Sequence, residues 1–93
     1  MSSAKKIDVI LPDAVVEPFV EMLAGAPVVA WSVATGLSGR TLRGHATPGL
    51  CDAAVAVICR SQDAGAAIAS IEAFVARYGG VATVVDAEGL NLG

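Results

Sequence analysis

Two kinds of hydrophobic pattern alternate along the chain. Short runs rich in β-branched and aromatic residues, typical of strands, lie at 7–11, 28–34, 53–59 and 81–85. Elsewhere apolar residues recur every three or four positions, which is typical of an amphipathic helix. The pattern therefore predicts the order strand, helix, strand, long loop, strand, helix, strand.

The first predicted helix carries its apolar stripe on Val15, Phe19 and Leu23, and Asp13 precedes it as a candidate cap. Pro18 is the awkward residue, because beyond the first turn a proline removes a backbone hydrogen bond. Two interpretations stay open here. The helix either starts late, so that Pro18 falls in its first turn, or it bends at Pro18.

The second predicted helix begins after a cap at 61–63 and ends at Gly79 and Gly80, which suit the left-handed position after a helix. Its apolar stripe is Ala64, Ala67, Ile68, Ile71, Val75 and Tyr78. The whole order is that of the α+β, ferredoxin-like βαββαβ fold, with a four-stranded antiparallel sheet and both helices on one face.

The third predicted strand has no polar side. Both its odd-numbered positions from 53 to 57 and its even-numbered positions from 54 to 58 are Ala, Val or Ile. Helices can cover only one face of such a sheet, and the remaining apolar area is larger than a soluble monomer normally exposes. We therefore expect self-association through the open sheet face. The alternative is that alanine-rich strands simply tolerate exposure.

Composition supports a covered surface. The 93 residues form one predicted domain, 1–93, with 55% apolar and only 16% charged residues, against about 25% charged in an average soluble domain. The net charge of -3 argues against a general nucleic-acid partner. No apolar run approaches the roughly 20 residues that span a bilayer, so direct membrane insertion is not expected.

The N-terminal residues do not form a signal peptide. Without one, Cys51 and Cys59 favour a reducing, cytoplasmic setting.

The sequence gives little support for metal or catalytic chemistry. These cysteines and His45 lack the close pairing of zinc ligands, so no metal site is predicted and Cys59 is interpreted as a core residue. With a single histidine and scattered carboxylates, the chain is not expected to be an enzyme, and no catalytic cofactor is expected.

The loop from Thr35 to Leu50 concentrates groups that bind anions. Glycines allow backbone N–H groups to approach an anion, the hydroxyls of Thr35 and Ser38 add donors, and Arg40 and Arg43 can bind a phosphate or small carboxylate-like anion. Neither a P-loop nor a dinucleotide fingerprint is present. A solvated loop with ordinary surface arginines explains the same composition.

Two further residues keep alternative interpretations. Arg60, just after the third predicted strand, is either a surface charge or a phosphate ligand. Trp31, within the second predicted strand, is interpreted as core or interface packing.

Two segments resemble PII-like signalling proteins. The run Ala-Trp-Ser-Val-Ala-Thr-Gly at 30–36, followed by Ser-Gly-Arg at 38–40 and Leu-Arg at 42–43, resembles the second strand and the base of the T-loop in that family. The segment 77–90 is similar to its short B-loop and last strand. The nearest branch is that of PII-like proteins associated with carboxysomes and bicarbonate transport.

The resemblance implies a homotrimer whose sheets pack inward and whose intersubunit clefts bind an adenine nucleotide, ADP, AMP or ATP, with bicarbonate as a candidate second ligand. One subunit would line the cleft with 35–37 and its neighbour with Gly79 and Gly80. Arg40 and Arg43 would contact phosphates or bicarbonate. The full set of candidate nucleotide-binding residues is Thr35, Gly36, Leu37, Ser38, Arg40, Arg43, Arg60, Gly79 and Gly80.

The implied function is ligand sensing. A T-loop-like segment at about 36–50 would change its order on ligand binding and so regulate a protein partner in inorganic-carbon metabolism, either a transporter or a carbon-fixation component. Control by uridylylation is not expected, because the loop is short and lacks the family's modified tyrosine. Control by a disulfide is not expected, because a cysteine-bearing C-terminal extension is lacking. The alternatives are a metal-responsive or purely structural trimer, as in copper-tolerance proteins of this architecture, and a weak nucleotidase.

Overall fold

A computed structural model describes residues 2–37 and 52–93. The elements in chain order are β1 (Ser2–Pro12), a 3-10 turn (Asp13–Val15), α1 (Val16–Ala24), β2 (Ala30–Leu37), β3 (Asp52–Arg60), a 3-10 turn (Ser61–Asp63), α2 (Ala64–Tyr78) and β4 (Val81–Gly89). The strands form one antiparallel sheet in the order β2-β3-β1-β4. This confirms the predicted α+β, βαββαβ fold.

The central strand β1 is longer than predicted. It begins at Ser2 and not at Ile7, and it pairs with β3 from Ala4 to Pro12 and with β4 from Ser2 to Ile10. The polar start of β1 carries no strand pattern of its own, but a strand with a partner on each side has its backbone groups satisfied whatever its side chains are. β4 continues to Gly89, beyond its predicted end, because its last residues pair with the first residues of β1.

The first helix settles the question of Pro18. Because α1 begins at Val16, Pro18 is the third residue of the helix, where its missing N–H would have no intrahelical partner anyway. The predicted caps are wrong, because a 3-10 turn precedes each helix and no side-chain capping bond forms. No helix in the described part of the chain is both long enough and apolar enough to cross a membrane.

The core lies between the helices and one face of the sheet. Phe19 and Leu23 of α1 and Ile71 and Phe74 of α2 pack over the buried positions of β1 and β3. The rings of Phe19 and Phe74 meet edge to face with centroids 5.0 Å apart, a favourable arrangement for aromatic pairs. The predicted apolar stripe of α2 did not include Phe74, which is buried. It did include Val75, which is only partly buried.

Cys59 is a core residue, as predicted. Its side chain is fully buried on β3, and burial, followed by the negative charge of Asp63, raises the pKa of the thiol. Because the pKa of Cys59 is higher in the folded state than in the unfolded state, this thiol contributes to the free energy of unfolding at pH values below the ordinary thiol pKa. The contribution is lost as the pH rises through the folded-state pKa.

A reactivity measurement checks this environment. In a Cys51→Ser variant, which leaves Cys59 as the one thiol, reaction with a chromogenic disulfide at pH 8 should be at least about tenfold slower than for a free cysteine, because the thiolate is scarce and inaccessible. Guanidinium should restore the ordinary rate. Fast reaction in the native protein would show that Cys59 is accessible.

The open face of the sheet carries apolar side chains on all four strands. The apolar members with large side chains are Ile10, Ile58, Val81 and Val85, and those with small ones are Ala4, Ala30, Ala34, Ala54, Ala56 and Ala87. Lys6 and Asp8 lie among them and form an ion pair at 3.5 Å. Ile10, Val81 and Val85 are each more than 40% exposed, so residues 2–37 and 52–93 leave most of this face uncovered.

Candidate functional site

One end of the sheet brings most of the described candidate residues to the same level. At this end, called the loop end here, Asp52 of β3 pairs with both Pro12 of β1 and Leu37 of β2. On the other side of β1, Ile10 pairs with Val81, the first residue of β4. The last residues of β2 and the glycines before β4 therefore lie at the same end of the molecule.

The last residues of β2 form a bulge. Three residue steps on β2, from Ala34 to Leu37, face two on β3, from Ala54 to Asp52, so β2 carries one extra residue. Gly36 lies in this bulge with φ +71°, a conformation that favours glycine. The predicted loop start at Thr35 is therefore wrong, since 35–37 belong to β2. A Cβ added to Gly36 would meet no atom of residues 2–37 and 52–93 within 4 Å, so these residues leave room for a ligand to approach its backbone closely.

Asp13 connects this bulge to the end of β1. The backbone N–H of Gly36 donates a hydrogen bond of 3.2 Å to Oδ2 of Asp13. The other carboxylate oxygen, Oδ1, is buried and has no hydrogen-bond partner among residues 2–37 and 52–93. The sequence pattern assigned Asp13 to helix capping and missed this role, because a contact between positions 23 residues apart leaves no local signal.

Gly79 and Gly80 connect α2 to β4. Both have positive φ, +88° and +130°, so the prediction that glycines end this helix is confirmed. Gly79 N–H donates to the Val75 carbonyl at 2.9 Å, which closes the last helical turn. A Cβ on Gly79 would meet no described atom within 4 Å, whereas one on Gly80 would lie 2.6 Å from the carbonyl oxygen of Ile10.

The two candidate segments lie on opposite edges of the sheet. β2 and β4 are the edge strands, and β3 and β1 separate them. Three strand spacings correspond to about 14 Å between Gly36 and Gly80. Within one chain they cannot both contact the same small ligand group across two intervening strands. Within one chain, both segments can contribute to a site only if the ligand is long enough to span this distance.

Arg60 lies at the other end of the sheet. It follows Asp52 by eight positions along β3, which corresponds to about 27 Å. Its guanidinium donates hydrogen bonds to the carbonyl oxygens of Leu92 and Gly93, and Asp63 lies 4.0 Å away. In the single chain Arg60 therefore holds the segment after β4, and its assignment as a phosphate ligand stays a prediction.

Both edge strands expose large apolar side chains on the helix side of the sheet. Trp31 and Val33 of β2 are each 39% exposed, so Trp31 is not a core residue. Val84 of β4 is 42% exposed, and Tyr78 at the end of α2 is 39% exposed, its ring packing on Phe74 with centroids 4.5 Å apart. The interpretation of Trp31 as an interface residue stays a prediction.

The remaining candidates lie outside the described residues. They are Ser38, Arg40, Arg43, Cys51 and the rest of the T-loop-like segment up to Leu50. Within 2–37 and 52–93, no three His, Cys, Asp or Glu side chains approach one another closely enough to hold a metal ion.

Solved structures share this architecture over almost the whole chain. CPII from Thiomonas intermedia, bound to ADP, AMP and acetate, matches with a TM-score of 0.79 and 21% identity over 96% of this chain and 91% of that chain. The chain has the PII-like fold. The resemblance predicted from the sequence is thus confirmed at the level of the fold.

Other PII-like structures agree with this result. The apo form of CPII, a nitrogen regulatory PII-like protein, matches with a TM-score of 0.74 and 21% identity over 91% of this chain and 89% of that chain. A structure described as a PII-like signalling protein, from Thermus thermophilus, matches with a TM-score of 0.69 and 12% identity over 92% of this chain and 88% of that chain. CPII has also been solved with ADP and bicarbonate bound. No family model matches the sequence, and no curated protein matches it at a significant level.

Proposed function

We propose that this PII-like chain is a regulatory protein and not an enzyme, and that it binds an adenine nucleotide, ADP, AMP or ATP, in the clefts between subunits of a homotrimer. Bicarbonate is the proposed second ligand. Binding changes the order of the T-loop-like segment at about 36–50, and this regulates a protein partner in inorganic-carbon metabolism, a transporter or a carbon-fixation component.

The arrangement of the two glycine segments is the observation that carries this proposal. Gly36 and Gly79 both have positive φ, and a Cβ at either position would meet no described residue within 4 Å, so a ligand can come close to the main chain at both positions. They lie at the same end but on opposite edges of the sheet. Side-by-side packing of subunits brings the β2 edge of one chain to the β4 edge of the next and so forms one cleft from both segments.

The open sheet face supports a closed assembly. Apolar residues on all four strands of this face gain burial if three copies turn it inward. Structures of the same fold bound to ADP with AMP, and to ADP with bicarbonate, support three of the proposed ligands, whereas ATP is proposed from the sequence resemblance. In each cleft we assign the nucleotide to Thr35, Gly36 and Leu37 with Gly79 and Gly80 of the neighbour, and its charged groups to Ser38, Arg40 and Arg43. Arg60 is the weakest assignment, given its place at the far end of β3.

Calorimetric titration tests the binding function. ADP, AMP and ATP are titrated separately into the protein, with and without bicarbonate, while the assembly state is measured by sedimentation. We expect a trimer and a dissociation constant of about 100 μM or tighter for at least one nucleotide, which corresponds to roughly 5.5 kcal/mol or more of binding free energy. Bicarbonate should tighten that nucleotide's binding.

The same samples distinguish the alternatives. No heat with any nucleotide, at protein concentrations high enough to detect a dissociation constant of about 100 μM, would remove the proposal. Release of phosphate from ATP, absent in an Arg40→Ala variant, would favour the weak nucleotidase. Bound metal in the purified protein, together with no nucleotide binding, would favour the metal-responsive trimer. A cytoplasmic location is part of the proposal and is tested by fractionation of the host cell.

A further inference from the structure

The bulge at the end of β2 leaves a backbone donor without a strand partner. The extra residue between Ala34 and Leu37 interrupts the ladder with β3, and Gly36 lies in that interruption. An unpaired backbone N–H is unfavourable, and a glycine with positive φ has several other conformations available. Something outside the sheet must therefore hold Gly36 if the bulge is to keep one geometry.

Asp13 supplies this contact. It lies in the turn after β1, and its Oδ2 accepts the hydrogen bond from Gly36 N–H at 3.2 Å. It does not cap the following helix, so its side chain is committed to β2. The buried Oδ1 has no hydrogen-bond partner among the residues that the structure describes. A buried polar atom without a partner lowers the free energy of unfolding, and folded chains keep such atoms chiefly where function requires them.

We infer that Asp13 is a positioning residue for the ligand cleft, and that it fixes the Gly36 bulge in the conformation that binds nucleotide. This inference rests on the proposed function. Asp13 itself need not touch the ligand, since it acts through the backbone of Gly36. Its effect on affinity comes from preorganisation, because a bulge that is already ordered loses less conformational entropy on binding.

Two substitutions separate the hydrogen bond from the charge. In Asp13→Asn the amide oxygen can still accept the bond from Gly36, and in Asp13→Ala no acceptor remains. Glu17→Ala is the matched control, because Glu17 is an exposed carboxylate in the first turn of α1. It removes one negative charge from the same region without removing a contact to β2.

The first measurement is amide hydrogen exchange at Gly36 by NMR, without nucleotide. We expect exchange at least about tenfold faster in Asp13→Ala than in the wild type, and within about threefold of the wild type in Asp13→Asn and Glu17→Ala. Because it needs no ligand, this measurement judges the anchor separately from the proposed function. Unchanged exchange in Asp13→Ala would show that the carboxylate does not hold the bulge.

The second measurement is ADP affinity in the same variants. We expect the dissociation constant to rise about tenfold in Asp13→Ala and to stay within about twofold in Asp13→Asn and Glu17→Ala, with the assembly state unchanged in all of them. Equal or tighter binding by Asp13→Ala, despite faster Gly36 exchange, would overturn the positioning role and indicate that the carboxylate competes with the ligand. If the wild type binds no ADP, the proposed function and this coupling fall together, and the exchange result still decides whether Asp13 anchors Gly36.

Discussion

Replacement of Gly80 by alanine should destabilise the fold by about 3 kcal/mol or more, the sum of backbone strain and a backbone clash. The φ of +130° is one that side chains other than glycine rarely adopt. The added Cβ would lie 2.6 Å from the carbonyl oxygen of Ile10, a main-chain atom in the central strand that cannot rotate away. Thermal unfolding at one fixed protein concentration should show a fall in Tm of more than about 10 °C.

Two other glycines serve as matched controls for this substitution. Gly79→Ala shares the strain of a positive φ, but its Cβ meets no atom in the described part of the chain, so it should cost about 1 to 2 kcal/mol. Gly65→Ala lies in α2 with open space around it and should stabilise the protein by about 0.5 kcal/mol. An equal loss of stability at Gly79 and Gly80 would show that the contact with Ile10 relaxes and that strain alone sets the cost.

Replacement of Ile10 by glutamate should dissociate the proposed trimer and lower ADP affinity at least about 100-fold, because an ionised carboxylate is costly to bury and the clefts exist only in the assembly. Ile10 is 44% exposed on the open sheet face, between Ala54 of β3 and Val81 of β4. The single chain should still fold, with a loss of about 1 kcal/mol or less from the side-chain change itself. Sedimentation equilibrium and calorimetric titration measure the two effects.

The control places the same charge on the opposite side of the molecule. Ala69 is exposed on α2, and Ala69→Glu should leave assembly and affinity as in the wild type. A trimeric Ile10→Glu variant with normal ADP affinity would mean that the subunits associate through another surface. A monomeric wild-type protein at low micromolar concentration would remove the proposed intersubunit cleft altogether.

Local patterns were sufficient to predict most of the architecture. The β-branched runs located the strands, and the spacing of Phe19 and Leu23 oriented α1. The unbroken apolar run along β3 predicted two apolar faces, one of which the helices cover. Such patterns predict structure because burial of apolar side chains depends on their period along the chain. They also predicted glycine after α2, where both residues have positive φ.

The predicted ends of the strands were less accurate than their predicted locations, for one common reason. The first residues of β1 and the last of β4 have weak strand patterns, yet each strand is extended by hydrogen bonds to its neighbour. Likewise, 35–37 were predicted to be loop because of their glycine and polar content, but they pair with β3 through a bulge. Backbone pairing depends on which strand lies alongside, and that information is not local.

The sequence by itself determined the βαββαβ order, the core stripes and the two glycine segments, since each of these depends on residues close together in the chain. Only the tertiary structure decided that Gly36 and Gly80 lie at the same end but on opposite edges of the sheet, that Arg60 lies at the far end, and that Asp13 bonds to Gly36. These relations depend on strand order and register. Strand order and register follow from how distant segments pack together, which no single stretch of sequence specifies.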